Sequence, residues 1–575
     1  MRILRNRMVL IVCGIATLLL VGEFVRILAI SFHALEWDAL IFFTIGRGIL
    51  NGLTPYVDLF ESKPPGIFFL AIASLLLSKG DLFYRLLSVG GLVVLSIGPL
   101  IAYGKALPDR RLQPLRLAGG LLVLVLGMLA TLYLQERAPG GQPEFFGSMF
   151  GALFTYSMAT AEDRWSWPRI ICNALLLMGA IGIKEPFLFT MIAATILLGR
   201  TPRYVLNYFL IPLGIGGVVG AMFLFILGLL GPYVDVYFST MIASRIYMNI
   251  ETYLPLWGRG FSVRWVYGNL TQYFPPAPLF GYMIGALFIA AALRWRERQS
   301  ILLTCTALVA FVGLFYLMFV TEELLVLSNV LHWKNPMIFA KYNQLLTLGI
   351  VLLLTFVPIV WYFWKQKFLW QFMLLFPVLY LITFAVGSGG YFPNHFAFAF
   401  PVYFALIILF AQSLARASLH PLMVVVVGLL AMWSAFWYQP SNLEHLAQMR
   451  GNLSSVNRDR AEQLDTLLDA CGVKRYVSEA GDLSGLGFTR HSPMGPMPTI
   501  GEGIHSYLPR DHRLFIQTME TIMREGTVLA MDEGRLANHP LREFFAAEFT
   551  NNAPPCAKQY VPVEGLVVLF RKGRL

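Results

Sequence analysis

An acid and a base lie 25 positions apart in a polar stretch, residues 36–66 (EWDALIFFTIGRGILNGLTPYVDLFESKPPG), set between two apolar runs. Asp38 is the acid and Lys63 the base. A carboxylate that follows directly on a membrane-length apolar run is costly unless its site is wet or the group has a task. Lys63 precedes Pro64 and Pro65, whose restricted backbone suits a lysine held at the mouth of a cavity. Its ammonium is a compact point charge, the kind that matches a phosphate oxygen. Each residue also has a plainer use, Asp38 as a helix cap and Lys63 as a cation snorkelling to lipid headgroups. Between them a helix is expected over 39–50, with Leu40, Phe43, Arg47 and Leu50 on one face, ended by Asn51, Gly52 and Pro55.

The elements that must position this pair are apolar. With 57% hydrophobic and 13% charged residues over 575 positions, the chain belongs to the polytopic membrane class and is too apolar for a soluble globule. Three arginines within residues 1–7 lead into an apolar run at 8–30 with no small-residue cleavage site, so a retained first span with its N-terminus inside is expected. Further apolar runs between 84 and 438 bring the expected total to about thirteen crossings. Residues 67–77 are too few to span upright, which places 64–78 as an interfacial or re-entrant helix on the outer side. On that parity the short inside loops hold 17 of the 29 Lys and Arg residues before position 440, as the positive-inside bias demands. The basic balance is therefore an orientation signal, and no nucleic-acid partner is expected, because no basic patch is interleaved with aromatic platforms.

The same parity sends the first loop, residues 135–143, a short turn near Lys184, a long loop at 231–275, residues 387–394 and the whole C-terminus to the outer face. The long loop mixes aromatics with Arg245, Arg259 and Arg264 and reads as an interfacial flap. From 439 onward hydropathy falls. Helices are expected at 454–470 and 511–524, and strands at 475–478, 528–531 and within 560–571. Two domains follow: a membrane domain at 1–438 and a small outer α/β domain at 439–575. Cys13, Cys172 and Cys305 fall in spans, whereas Cys471 and Cys556 each precede an expected strand in an oxidising compartment and are expected to form a disulfide, against the alternative of two unpaired thiols.

The run W-D-A-x5-I-G-R-G-I-L-x-G-x2-P-Y-x-D-x-F-E-S-K-P-P-G resembles the first outer loop of GT-C integral-membrane glycosyltransferases of the protein O-mannosyltransferase and lipid A aminoarabinose transferase kind. The resemblance implies an all-α polytopic fold of about thirteen transmembrane helices with interfacial helices in the first outer loop, and often a soluble outer domain. It also implies a polyprenyl-phosphate-linked sugar as donor. Carried over by position, Asp38 matches the acid that acts as general base or orients the acceptor hydroxyl, and Lys63 the lysine that meets the donor phosphate. Arg245 and Arg259 are assigned to the donor phosphate, and Tyr56, Glu61, Glu144 and His395 to the cavity. Glu144 reads equally well as a first-turn acid favoured by the helix dipole, and His395 as an interfacial residue. Ala39 and Ser62 stand where family members carry glutamates, which argues against an aminoarabinose transferase. The long loop contains no histidine, so no cofactor is expected; a divalent metal is the alternative the family leaves open.

What the resemblance implies is an inverting transfer of sugar from a polyprenyl-phosphate donor to a hydroxyl or phosphate of a lipid, glycan or protein, at the outer face of a bacterial cytoplasmic membrane, with the C-terminal domain in the periplasm. Membrane lipids are the remaining partners. A lipid or glycolipid transporter is the second class, and should show charges near mid-membrane in paired broken helices. Most charges lie at span ends; Glu23, Arg26 and the Lys184-Glu185 dipeptide are the exceptions, for which a structural ion pair stays open.

Overall fold

The computed structural model describes residues 2–108, 114–242, 397–416, 447–479, 486–496, 511–532, 541–560 and 566–575, apart from a few single positions within these ranges. Arg245, Arg259, Arg264, His395 and Cys305 lie outside them, as do the runs expected between 276 and 386 and at 421–438.

The described chain is predominantly helical, with a small sheet domain at its C-terminus. The helices are α1 (Arg2–Phe32), α2 (Trp37–Leu50), α3 (Gly66–Ser78), α4 (Leu82–Ala106), α5 (Pro114–Arg137), α6 (Pro143–Ala159), α7 (Trp167–Ile183), α8 (Phe187–Leu198), α9 (Pro202–Ile226, with a π-helical turn at Leu206–Leu210) and α10 (Phe400–Arg416). Among the described residues two helices, α4 and α9 at 25 residues each, are long and apolar enough to cross a membrane. At 1.5 Å per residue each extends about 37 Å, against a hydrocarbon core of about 30 Å. Helix α9 presents Val218, Met222, Phe223, Phe225 and Ile226 outward, and α1 presents Ile11, Ile15, Leu18 and Leu19.

Helix α3, with 13 residues, is about 20 Å long and falls short of that thickness. Its place in the bundle agrees. A guanidinium nitrogen of Arg85, at the start of α4, donates to the Phe32 carbonyl at the end of α1 (2.8 Å) and the guanidinium stacks over the Phe32 ring (4.8 Å). The chain thus leaves α1 and enters α4 at the same end of the bundle. The opposite end carries Lys105, Arg116 and Arg200: Lys105 lies over the Tyr156 ring, Tyr103 donates to the Arg116 carbonyl, and Arg200 donates to the Ala159 carbonyl.

The C-terminal domain consists of α11 (Ser455–Ala470), β1 (Arg475–Glu479), β2 (Ser492–Pro493), α12 (Arg513–Glu525), β3 (Val528–Asp532), α13 (Arg542–Glu548), β4 (Phe549–Thr550) and β5 (Leu566–Arg571). The sheet order is β2-β1-β3-β5-β4, with β1 parallel to β2 and β3, and β5 antiparallel to β3 and β4. Because strand side chains alternate, Tyr476, Val528, Ala530 and Phe570 face Leu464, Leu467 and Leu468 of α11. Val477, Leu529 and Met531 face Ile522, Phe545 and Phe549 on the other side. Cys471 and Cys556 form a disulfide with Cα atoms 5.1 Å apart, tying the end of α11 to the turn before β5.

Candidate functional site

Helix α2 begins where the backbone of Glu36, extended at ψ 144°, donates its N–H to the Gly140 carbonyl (3.0 Å). Gly140 has φ +61°, and a Cβ there would stand 2.4 Å from the Glu36 nitrogen, so a side chain is excluded on both counts. Asp38 is therefore the second residue of a helix whose entry is pinned to the loop before α6. The free N–H groups of a first turn favour an anion.

After α2 the chain folds back on itself. Leu53 N–H donates to the Gly48 carbonyl, Thr54 N–H to the Asp58 carboxylate (2.8 Å) and Tyr56 N–H to the Leu59 carbonyl (2.7 Å). Tyr56 sits in the left-handed region at φ 69° and is fully buried. A tyrosine tolerates that backbone only where its surroundings enforce it. Here its hydroxyl donates to the Lys63 carbonyl (2.8 Å). Pro64 and Pro65 are buried behind the lysine, and Gly66 opens α3 against α7, where a Cβ would lie 2.5 Å from the Gly182 carbonyl oxygen.

The charges converge. Lys63 and Glu61 form an ion pair at 3.5 Å, and Ser62 donates through its N–H and hydroxyl to the same Glu61 oxygen (2.8 and 2.9 Å). Glu144, fully buried in the first turn of α6, is ion-paired with Lys184, which also lies 5.2 Å from the Phe398 ring centre. Burial pushes the part-buried Asp38 carboxyl up; Lys63 is the strongest charge opposing this, Glu61 and Glu144 reinforce it, Lys184 opposes it, and the outcome is about 6. Burial alone would lower the Lys63 ammonium, but Glu61, Asp38 and Glu144 hold it above its ordinary value, so it stays charged at neutral pH.

Five residues singled out in the sequence, Asp38, Lys63, Glu61, Tyr56 and Glu144, thus meet at one end of the bundle. Arg245, Arg259 and His395 lie outside the described residues. Among the described residues, no group of three or more His, Cys, Asp and Glu side chains is arranged to hold a metal ion. Lys184, Glu185 and Tyr237 were not foreseen as site residues. Two charges in series between two apolar runs were the available signal; the structural ion pair left open for them is formed by Lys184 with Glu144, 40 positions away. The other exception, Glu23 and Arg26, is a local pair one turn apart on α1 at 2.5 Å.

The C-terminal domain grips the far side of α2. Arg47 donates to the carbonyls of Gly487 and Thr489 (2.7 Å each), Asn51 to the Arg490 carbonyl (3.1 Å), and Phe60 N–H to the Pro496 carbonyl (2.5 Å). Arg475 donates to the Asp58 carbonyl at 3.4 Å. Arg458 reaches Asp81 (3.4 Å) while lying over the Phe488 ring (4.5 Å). The loop that carries Lys63 is therefore held between α7 on one side and the segment at 486–496 on the other.

Comparison with protein-family models, with curated proteins and with solved structures finds no match.

Proposed function

We propose that this chain is an inverting glycosyltransferase of the outer face of a bacterial cytoplasmic membrane, moving a sugar from a polyprenyl-phosphate donor to an acceptor hydroxyl or phosphate. The observation that carries the reading is the electrostatic coupling of Asp38 to Lys63 across a loop held by a strained Tyr56. The donor's anomeric carbon bears a phosphate leaving group. Lys63, charged at neutral pH, stabilises the negative charge that the departing phosphate gains, and that phosphate needs no proton. The acceptor hydroxyl attacks from the opposite face of the sugar while Asp38, ionised above pH about 6, takes its proton. The C–O bond to phosphate breaks as the new C–O bond forms, and the anomeric configuration inverts.

About thirteen crossings, a cytoplasmic N-terminus and a periplasmic C-terminal domain belong to the same proposal. They are supported by the outward apolar residues of α1 and α9, and by the separation of the basic end of the bundle from the end that carries Asp38. Mass spectrometry of glycolipids and envelope glycans from cells with and without the gene tests it. One sugar is expected to be missing without the gene, and Asp38→Ala is expected not to restore it. Restoration by that variant sinks the catalytic assignment. Movement of lipid-linked sugar across sealed vesicles without transfer would favour a transporter.

A further inference from the structure

We infer that the Lys184-Glu185 dipeptide is the positioning element of this site, one side chain holding the acid arm and the other the base arm. The inference rests on the proposed transferase reading for its meaning and on geometry for its content. Helix α7 ends at Ile183, and α8 starts at Phe187. Between them Lys184 is extended (φ −158°, ψ 120°), and Glu185 and Pro186 form a turn in which the Phe187 N–H donates to the Lys184 carbonyl (3.2 Å). Lys184 reaches Glu144 on α6, whose carboxylate acts on both Asp38 and Lys63. Glu185 reaches the other way and accepts from the Tyr237 hydroxyl (2.8 Å) and, more weakly, the Tyr233 hydroxyl (3.5 Å).

Those two tyrosine rings are stacked, 10° apart in plane, and both pack on Tyr56, at 5.1 Å for Tyr237 and 6.0 Å for Tyr233. Tyr56 in turn holds the Lys63 carbonyl. A continuous set of contacts therefore runs from Glu185 through Tyr237 and Tyr56 to Lys63, while Lys184 pairs with Glu144 in the first turn of α6, whose preceding loop holds the Glu36 N–H through Gly140, two residues before Asp38. Adjacent residues on one short break thus anchor the loop that carries Lys63 and the helix start that adjoins Asp38. The close approach of Gly66 to Gly182 brings α3 against the same break.

The test uses the full-length protein in detergent micelles and two readouts independent of sugar transfer. The first is carbodiimide labelling of Asp38 against pH, which reports the protonated carboxyl; the groups that act on it are Lys63, Glu61, Glu144 and Lys184, with Tyr84 of α4 close by. Lys184→Met removes a cation and leaves the Glu144 charge uncompensated, so the labelling midpoint should rise by about one pH unit, and Lys184→Arg should keep it. Glu144→Gln should lower it, and decides the matter if Lys184→Met does not fold. The second readout is hydrogen exchange of residues 54–63. Tyr237→Phe and Glu185→Leu should speed it on the order of tenfold, the equivalent of one hydrogen bond, while Glu185→Gln, which still accepts, should not. An Asp38 midpoint unmoved by both Lys184→Met and Glu144→Gln, or loop exchange unchanged in Tyr237→Phe, overturns the inference. Loss of the transferase reading would appear separately, as sugar transfer by Asp38→Ala with both readouts behaving as expected.

Discussion

Replacing Asp38 with asparagine should make the protein more stable and inactive at once. The folded protein holds this carboxyl at about 6, above its ordinary value of 3.8, because burial outweighs the attraction of Lys63 and Lys184. A raised carboxyl contributes stability in its protonated form. That contribution is complete below the unfolded value near 3.8 and is lost as pH rises through about 6. A rise from 3.8 to about 6 corresponds to roughly 3 kcal/mol, an upper bound for a part-buried group that solvent still screens. Asparagine keeps the shape and never ionises. Asp38→Asn should therefore match the wild type at pH 4 and exceed it by up to roughly 3 kcal/mol at pH 8. Denaturant unfolding in micelles at the two pH values measures this, and transfer assays on the same samples should show activity lost at both. Wild-type activity should fall on the acid side with a midpoint near pH 6. If Asp38→Asn is no more stable than wild type at pH 8, the carboxylate is not held at a cost, and the argument that a costly charge has been kept for a task fails.

Other perturbations reach the scaffold of the site. Tyr56→Phe removes the hydroxyl that holds the Lys63 carbonyl and should cost about 0.5–1.5 kcal/mol, read as a higher KM for the lipid-linked donor with kcat less affected. Gly66→Ala places a methyl group 2.5 Å from the Gly182 backbone oxygen, which cannot swing aside; a loss of about 1–3 kcal/mol and of most activity is expected, checked by unfolding and transfer assays. Arg47→Ala removes two hydrogen bonds from a charged donor to the carbonyls of Gly487 and Thr489; limited proteolysis should find the segment at 486–496 newly cleavable. Serine at both Cys471 and Cys556 opens a loop of 85 residues and should destabilise the C-terminal domain by up to about 4.5 kcal/mol on the chain-entropy account, leaving the helical bundle folded, as circular dichroism melts with and without reductant would show.

Much of the scaffold was legible one element at a time. The helix over 66–78 declares itself through an apolar run too short for a membrane, opened by Pro-Pro-Gly, and α2 starts two residues before the expected position. In the C-terminal domain the strands at 475–479 and 528–532 and the helices at 455–470 and 513–525 fall within a few residues of expectation, since each carries its own periodicity. Of the terminal stretch expected within 560–571, the described strand covers Leu566–Arg571. The shortness of α3 was legible too, and Arg85 on Phe32 shows that the end of α1 and the start of α4 lie together.

By itself the amino-acid order determined which segments are apolar, where helices must stop, and that a carboxylate and an ammonium sit in the one long polar loop near the start. Those are local properties, set by periodicity, proline and glycine within a few residues. Only the tertiary structure decided that Glu144 answers Lys184, that Glu185 is reached by Tyr237, and that main-chain carbonyls of the C-terminal domain take the hydrogens of Arg47. A carbonyl acceptor leaves no mark in a sequence. An ion pair between residues 40 positions apart depends on which helix ends the packing brings to the same place, and that is set by the whole bundle at once.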